Sequence, residues 1–201
     1  MKKHSANFVT LVRIIGACAI LFITPYNSID SKYASLILFL FLAITDKLDG
    51  VLARSKNFGQ ITDLGKLLDP MADKLLVLIY LPLIEMKQIT PGPVALLFAR
   101  DIIISGMRQY AGSRGIVVAA MWSGKIKTFI AFSLAFILLA RPDSLPGLHY
   151  IPALDTIISF IQSWPQALIT VLIWSLVIVT LVSFIEYSVN IYKKLASVQL
   201  T

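Results

Sequence analysis

The sequence has little charge and almost no cysteine for its 201 residues. Charged residues make up 14% of the chain and hydrophobic residues 57%, whereas soluble domains usually carry about 25% charged residues. This composition argues against a soluble globular protein, and the length suits one domain covering residues 1–201. The single cysteine, Cys18, excludes an internal disulfide and a thiolate metal site.

Apolar runs, by contrast, are long and frequent. A helix needs about 20 residues to cross the hydrocarbon core of a bilayer. Six segments approach this length, near 7–25, 34–54, 66–86, 92–112, 124–141 and 166–190. The connections contain residues that favour turns, among them Asn27, Pro91, Pro142, Pro146 and Gly147. The predicted fold class is an all-α polytopic membrane protein with six transmembrane helices.

The net charge of +7 bears on orientation more than on nucleic-acid binding. Basic residues form short clusters at the ends of the apolar runs and no long stripe, as in cytoplasmic loops. A cytoplasmic N-terminus leaves only Lys32, Lys87 and Arg141 on the outer side. We therefore predict that both termini are cytoplasmic, and that residues 151–164 form an interfacial helix in an outer loop.

Aspartates in the second and third segments have helical spacing. Asp46 and Asp49 lie three residues apart, and Gly50 and Ala53 continue the same helical face. Asp69 and Asp73 stand four residues apart in the next segment, and so they also share one helical face. If these two segments pack as an antiparallel pair, the four carboxylates converge at one cytoplasmic depth.

Four carboxylates gathered in a low dielectric repel each other unless cations neutralise them. Oxygen ligands of this kind suit Mg²⁺ or Mn²⁺, and a pair of such ions is suited to phosphoryl transfer. The alternative is that the aspartates pair with neighbouring basic side chains, namely Lys47, Arg54, Lys66 and Lys74. Such pairs account for one or two of the acids, so the metal-site interpretation is preferred.

The pattern Asp46-x2-Asp49-Gly50-x2-Ala53-Arg54, followed by Gly65-x3-Asp69-x3-Asp73, closely resembles the signature of the CDP-alcohol phosphatidyltransferase family. The connection between Arg54 and Gly65 is longer than is usual in that family, so no role is carried over to residues 55–64. Further stretches over most of residues 7–128 resemble the phosphatidylglycerophosphate synthase branch. They include residues 68–74, 99–108 and 124–128.

The resemblance implies roles for individual residues. Asp46, Asp49, Asp69 and Asp73 are expected to hold two divalent cations, Mg²⁺ or Mn²⁺, with Asp73 also acting as general base. CDP-diacylglycerol is the expected donor. The residues expected to bind its CMP moiety are Thr10, Asp49, Gly50, Ala53, Arg54 and Gly65. The resemblance also implies a homodimer in a bacterial inner membrane, with the active site facing the cytoplasm.

The expected acceptor is glycerol 3-phosphate, whose phosphate needs cations near the metal site. Arg108, Lys125 and Lys127 are the preferred candidates, because they adjoin cytoplasmic segment ends and the small residues Gly106 and Gly124. Arg54, Arg100 and Arg114 are weaker candidates. Serine, inositol phosphate and phosphatidylglycerol remain alternative acceptors, and glycerol 3-phosphate is chosen mainly on the resemblance.

Two other classes of membrane protein also place carboxylates in helices. A divalent-cation transporter usually has inverted repeats and sites at the bilayer midplane, but no repeat is evident here. An aspartate-rich prenyltransferase is expected to carry a second aspartate-rich motif in the later half of the chain, and none is present. The phosphatidyltransferase hypothesis is therefore preferred over both.

Overall fold

The structure, a computed structural model, describes residues 5–24, 29–52, 76–116, 118, 121–141 and 152–199. Every regular element in these ranges is helical. A 3₁₀ turn at Leu76–Ile79 leads into the third α-helix. The α-helices are α1 (Ser5–Ile23), α2 (Ile29–Leu52), α3 (Tyr80–Glu85), α4 (Pro91–Ser113), α5 (Trp122–Ala140), α6 (Pro152–Gln162) and α7 (Gln166–Gln199).

The all-α class is confirmed for the described part of the chain. Five of the six predicted spans coincide with α1, α2, α4, α5 and α7. The first half of the third, 66–86, lies outside the described residues, and its second half contains the short helix α3. Helix α6 occupies most of the stretch predicted as an interfacial helix. The number of membrane crossings and the orientation stay predictions.

Two helices among the described residues are long and apolar enough to cross a membrane, Trp122–Ala140 and Gln166–Ala196. Helix α7, with 34 residues, is about 51 Å long at about 1.5 Å per residue, well beyond the hydrocarbon core of about 30 Å. Its large apolar side chains Trp174, Ile178 and Ile185 are 58%, 59% and 60% exposed. A long helix that leaves such side chains outside the protein's own packing fits contact with lipid.

Local sequence explains both ends of α4. Pro91 opens the helix, where the missing N–H and the fixed φ of proline are favourable. At the other end Gly115 adopts a φ of 75°, which is accessible to glycine without strain. The N–H groups of Gly115 and Ile116 donate to the carbonyls of Gly112 and Ala111, both at 3.0 Å, and so close the helix.

By their packing, the residues fall into two compact units. The first comprises Met1–Gln88 and Ala135–Ser163, and the second comprises Ile89–Leu134 and Trp164–Thr201. Helix α5 therefore contributes its beginning to the second unit and its end to the first. The single domain predicted for residues 1–201 stays a prediction.

In the first unit, α1 packs against α2 at a small residue. A Cβ added to Gly16 would lie 2.8 Å from Cδ2 of Leu42, a fully buried side chain on α2. Just after α1, the buried Thr24 hydroxyl donates to Ser35 Oγ at 2.9 Å, and Ser35 donates to the Ser31 carbonyl at 2.8 Å. Close backbone approach at a glycine, together with hydroxyl hydrogen bonds, is typical of packing between membrane helices.

In the second unit, α4 packs along α7. The buried apolar residues of α4 share one helical face, and they are Val94, Leu97, Ile104 and Ala111. The buried apolar residues of α7 also share one helical face, and they are Ile169, Leu176, Tyr187 and Ile191. Polar side chains lie along the same faces, Arg100 on α4 and Ser183 on α7. This packing places the candidate site described below.

Replacing Gly16 with alanine is expected to destabilise the protein, because the new methyl group overlaps Leu42. Overpacking of this kind typically costs about 1–3 kcal/mol, which outweighs the higher helix propensity of alanine. Thermal unfolding in detergent measures the effect as a lower Tm. Gly106→Ala is the control, since a Cβ there meets nothing within 4 Å and should leave Tm unchanged or raise it. Equal Tm shifts for the two variants would contradict the close α1–α2 contact.

Candidate functional site

The predicted metal ligands are only partly covered by the structure. Asp46, Asp49 and Gly50 belong to α2, so their backbone has the helical spacing that the sequence analysis assumed. Thr10 belongs to α1. Lying outside the described residues are Ala53, Arg54, Gly65, Asp69 and Asp73. Among the side chains that the structure describes, no cluster of three or more could hold a metal ion. The side chains of the four predicted metal-binding aspartates are outside that set.

A buried ionic cluster lies in the second unit, centred on Asp101 of α4. Lys127 Nζ, on α5, donates to both carboxylate oxygens of Asp101, at 2.9 and 2.8 Å. Arg100 Nη1 donates to Asp101 Oδ1 at 2.9 Å, and Arg100 Nη2 donates to Ser183 Oγ on α7. The side chains of Arg100, Asp101 and Lys127 are 9%, 18% and 6% exposed. Three helices are thus joined by one carboxylate and one hydroxyl.

This cluster holds two cations and one carboxylate, so its charges do not balance. The Nε atom of Arg100 is also buried and has no hydrogen-bond partner among the described residues. Unpaired charge and unused donors are unfavourable away from water. The excess positive charge makes this part of the second unit favourable for an anion.

A second set of polar contacts in this unit is centred on Tyr187 of α7, which is 2% exposed. Arg108 Nη2 donates to its hydroxyl at 2.6 Å, and so does the backbone N–H of Met121, also at 2.6 Å. One turn further along α7, Asn190 Nδ2 donates to Met121 Sδ at 3.5 Å. These bonds connect α4 and the residue just before α5 to the same helix.

Gly124 gives the Tyr187 ring the space that it occupies. A Cβ built on Gly124 would lie 3.1 Å from both Cε2 and the hydroxyl oxygen of Tyr187. Such a distance is shorter than an ordinary van der Waals contact, so a larger residue would press on the tyrosine. Gly106, the other small residue beside the predicted phosphate-binding residues, differs from Gly124, because a Cβ built there meets nothing within 4 Å.

The three residues predicted to bind the acceptor phosphate have different surroundings. Lys127 is buried and bonded to Asp101. Arg108 and Lys125 are exposed, and none of the described carboxylates pairs with either. Lys125 Nζ lies 4.6 Å from the centroid of the exposed Trp122 ring, a cation–π distance. The predicted binding role of all three residues stays a prediction.

Arg114, a weaker candidate, is exposed beyond the end of α4. Its Cζ lies 4.9 Å from the centroid of the Tyr110 ring, whose residue is itself 52% exposed. An exposed arginine beside an exposed aromatic ring near a helix end is typical of a membrane interface. This arrangement does not connect Arg114 with the buried cluster.

Three residues that organise this region have no predicted role: Asp101, Ser183 and Tyr187. A signal was present for each of them. Asp101 is an acid next to an arginine inside an apolar helix, where an ionisable residue is costly. Ser183 and Tyr187 are polar residues four apart, hence on one face, in the most apolar segment of the chain. Their partners could not be read from this spacing.

A family model described as CDP-alcohol phosphatidyltransferase matches residues 3–182. The chain belongs to the CDP-alcohol phosphatidyltransferase family. The match contains all four predicted metal-binding aspartates and most of the ionic cluster, but it ends before Ser183 and Tyr187.

Individual relatives of this phosphatidyltransferase carry a more specific name, CDP-diacylglycerol–glycerol-3-phosphate 3-phosphatidyltransferase. A relative from Rickettsia typhi is 30% identical over 164 residues, which are 81% of this chain and 90% of the relative. One from Pectobacterium atrosepticum is 36% identical over 145 residues, covering 68% and 79% of the two chains. One from Yersinia pestis is 35% identical over 150 residues, covering 71% and 80%.

Asp101→Asn in this phosphatidyltransferase is expected to destabilise the fold, because Lys127 and Arg100 lose their buried carboxylate. Breaking a buried ion pair from one side typically costs about 3–5 kcal/mol. Lys127→Met should also lower Tm, by leaving Asp101 with fewer donors. The double variant should lose less stability than the two single losses together, because neither charge of the pair is then stranded. Thermal unfolding of the four proteins in detergent gives the coupling, and strictly additive losses would rule out the pairing.

Proposed function

We propose that this phosphatidyltransferase transfers the phosphatidyl group of CDP-diacylglycerol to glycerol 3-phosphate, giving phosphatidylglycerophosphate and CMP in phospholipid biosynthesis. The observation that carries this proposal is the name shared by the bacterial relatives, which are 30% to 36% identical to the chain. Alignments cover 79% to 90% of those proteins, so the similarity extends over most of a whole enzyme. The signature aspartates lie inside the region matched by the family.

The donor side of the reaction is assigned to the aspartates. Asp46, Asp49, Asp69 and Asp73 would hold two divalent cations, and carboxylate oxygens are the ligands that Mg²⁺ and Mn²⁺ prefer. The helical backbone of α2 at Asp46 and Asp49 supports this set, since residues three apart share a helix face. Cations held by these residues would neutralise negative charge on the diphosphate of the donor.

Asp73 is proposed as the general base. It accepts the proton of the acceptor hydroxyl while that oxygen forms a bond to the phosphorus carrying diacylglycerol. The bond between this phosphorus and the CMP oxygen breaks, and CMP leaves. Positioning and charge stabilisation provide most of the rate in such transfers. The CMP moiety is proposed to be bound by Thr10, Asp49, Gly50, Ala53, Arg54 and Gly65.

On the acceptor side, Arg108, Lys125 and Lys127 are proposed to bind the phosphate of glycerol 3-phosphate. Exposure of Arg108 and Lys125, and the lack of a carboxylate partner for either among the described residues, support their part in it. Lys127 Nζ donates two hydrogen bonds to Asp101, which are fewer than the three that an ammonium group can donate. The net positive charge of the ionic cluster also favours a phosphorylated acceptor over serine.

The membrane arrangement completes the proposal. We infer a homodimer in the bacterial inner membrane, each chain crossing six times with both termini in the cytoplasm. The apolar, outward-facing side chains of α7 support contact with lipid. An active site facing the cytoplasm would have access to water-soluble glycerol 3-phosphate and to a lipid donor in the same leaflet.

Release of CMP by the purified protein in detergent tests the function. With CDP-diacylglycerol and Mg²⁺, glycerol 3-phosphate should support release, while serine, inositol phosphate and phosphatidylglycerol should not. Asp73→Asn should lower the rate by at least about 100-fold, as expected for loss of a general base. Asp155→Asn, the same change in α6, serves as the control and should retain activity.

Other outcomes of this assay have distinct meanings. Release with a different acceptor would preserve the family chemistry and refute glycerol 3-phosphate as the acceptor. Full activity of Asp73→Asn would refute its role as base. No release with any acceptor, from a folded sample that still binds divalent cations, would favour a cation transporter.

A further inference from the structure

Tyr187 lies at the centre of contacts that reach Arg108, one of the proposed phosphate-binding residues. Its hydroxyl receives hydrogen bonds from Arg108 Nη2 and from the Met121 N–H, both at 2.6 Å. The hydroxyl oxygen can accept both at once, because it has two lone pairs. Because the Met121 N–H belongs to the backbone, its hydrogen bond restrains the position of the Tyr187 hydroxyl.

The aromatic ring of Tyr187 makes a second contact with the same guanidinium. Arg108 Cζ lies 4.6 Å from the ring centroid, and Arg100 Cζ lies 5.1 Å from it. Both distances are within the range at which a ring attracts a cation. One tyrosine thus restrains the Arg108 guanidinium in two ways, through the hydroxyl and through the ring.

The remaining donors of Arg108 are unused in the described part of the structure. A guanidinium has five N–H donors, and one of its nitrogens is bonded to Tyr187. Arg108 is exposed, and it has no carboxylate partner among the described residues. Lys127 differs, because Asp101 holds it through both carboxylate oxygens. Arg108 is therefore restrained by a group that leaves its charge uncompensated.

We propose that Tyr187 is a positioning residue for the acceptor: it holds the Arg108 guanidinium ready to donate two parallel hydrogen bonds to the acceptor phosphate. The proposal rests on the proposed function. A long arginine side chain loses rotamer freedom when it binds a ligand, and restraining it beforehand reduces that loss. Bidentate contact also depends on the direction of the planar guanidinium, which a hydrogen bond and a ring face together define.

Gly124 contributes to the same arrangement of Tyr187 and Arg108, because its lack of a side chain lets the Tyr187 ring approach α5. A Cβ at this position would lie 3.1 Å from the hydroxyl oxygen itself. Gly124→Ala should therefore weaken acceptor binding with Tyr187 and Arg108 both intact. Gly106→Ala, whose new Cβ meets nothing within 4 Å, is the matched control and should not alter acceptor binding.

The test is steady-state kinetics of the full-length Tyr187→Phe variant in detergent, following CMP release. This change keeps the ring and removes only the hydroxyl. We expect the KM for glycerol 3-phosphate to rise at least about tenfold, as for a lost hydrogen bond to a charged group. The kcat and the KM for CDP-diacylglycerol should stay within about twofold of wild type, because the donor side is not involved.

Tyr80→Phe is the control for the loss of a buried tyrosine hydroxyl. Tyr80 is 2% exposed, and the cation–π contacts of Arg100 and Arg108 are made with the Tyr187 ring. We expect Tyr80→Phe to lower Tm without changing the KM for glycerol 3-phosphate. An unchanged KM in Tyr187→Phe, or an equal rise in both variants, would overturn the proposal.

A double-mutant cycle of Tyr187→Phe and Arg108→Lys separates positioning of the Arg108 guanidinium from general support of the fold by Tyr187. If Tyr187 acts through the guanidinium, Tyr187→Phe should raise KM by less than about twofold when Arg108 is already lysine. A full tenfold rise in that background would overturn the proposal.

The wild-type enzyme distinguishes this proposal from the proposed function. If wild type uses inositol phosphate in place of glycerol 3-phosphate, the proposed acceptor is wrong, and the same KM comparison is made with inositol phosphate. If wild type uses only serine, or no acceptor, both proposals fail.

Discussion

A charge buried between apolar helices needs an opposite charge within hydrogen-bonding distance, because neither lipid nor packed side chains replace its hydration. In the second unit, Asp101 provides the opposite charge. Both of its oxygens accept hydrogen bonds from Lys127, and one also accepts from Arg100, which in turn donates to Ser183. One carboxylate thus joins basic side chains of α4 and α5, and Arg100 extends the connection to α7. Hydrophobic contacts of the helices alone would allow them to rotate or slide, whereas directional hydrogen bonds define one register.

The same cluster explains how a structural feature can prepare a binding site. Two cations share one carboxylate, so positive charge remains where α4 and α7 meet. Tyr187 then restrains Arg108 without neutralising it, because a hydroxyl and a ring face carry no net charge. Arginine held by neutral groups keeps its full attraction for an anion, whereas lysine held by a carboxylate keeps only part of it. The two basic residues are fixed by different chemistry and have different amounts of charge left for a ligand.

Much of the helical framework could be predicted from local signals. Apolar length placed α1, α2, α4, α5 and α7 near their observed positions, and Pro91 and Gly115 mark the ends of α4. Helix α7 extends nine residues beyond its predicted end at 190, because the charged residues near its C-terminus remain helical. Two of the predicted phosphate-binding residues make contacts in the second unit, Arg108 with Tyr187 and Lys127 with Asp101, and their binding role stays a prediction. Their different partners were not predicted, because residues 101 and 127, or 108 and 187, meet only after helices pack.

The sequence by itself determined the all-α class, most of the described helices and the family. Those properties depend on composition, on local periodicity and on a motif whose residues lie close together in the chain. Tertiary structure decided which charges are compensated: Lys127 by Asp101, and Arg108 by no described carboxylate. It also decided that Tyr187, near the end of the chain, contacts Arg108 in a helix far earlier. Such pairs join positions distant in sequence, and no local pattern specifies them, because they depend on how helices α4 and α7 align when they pack.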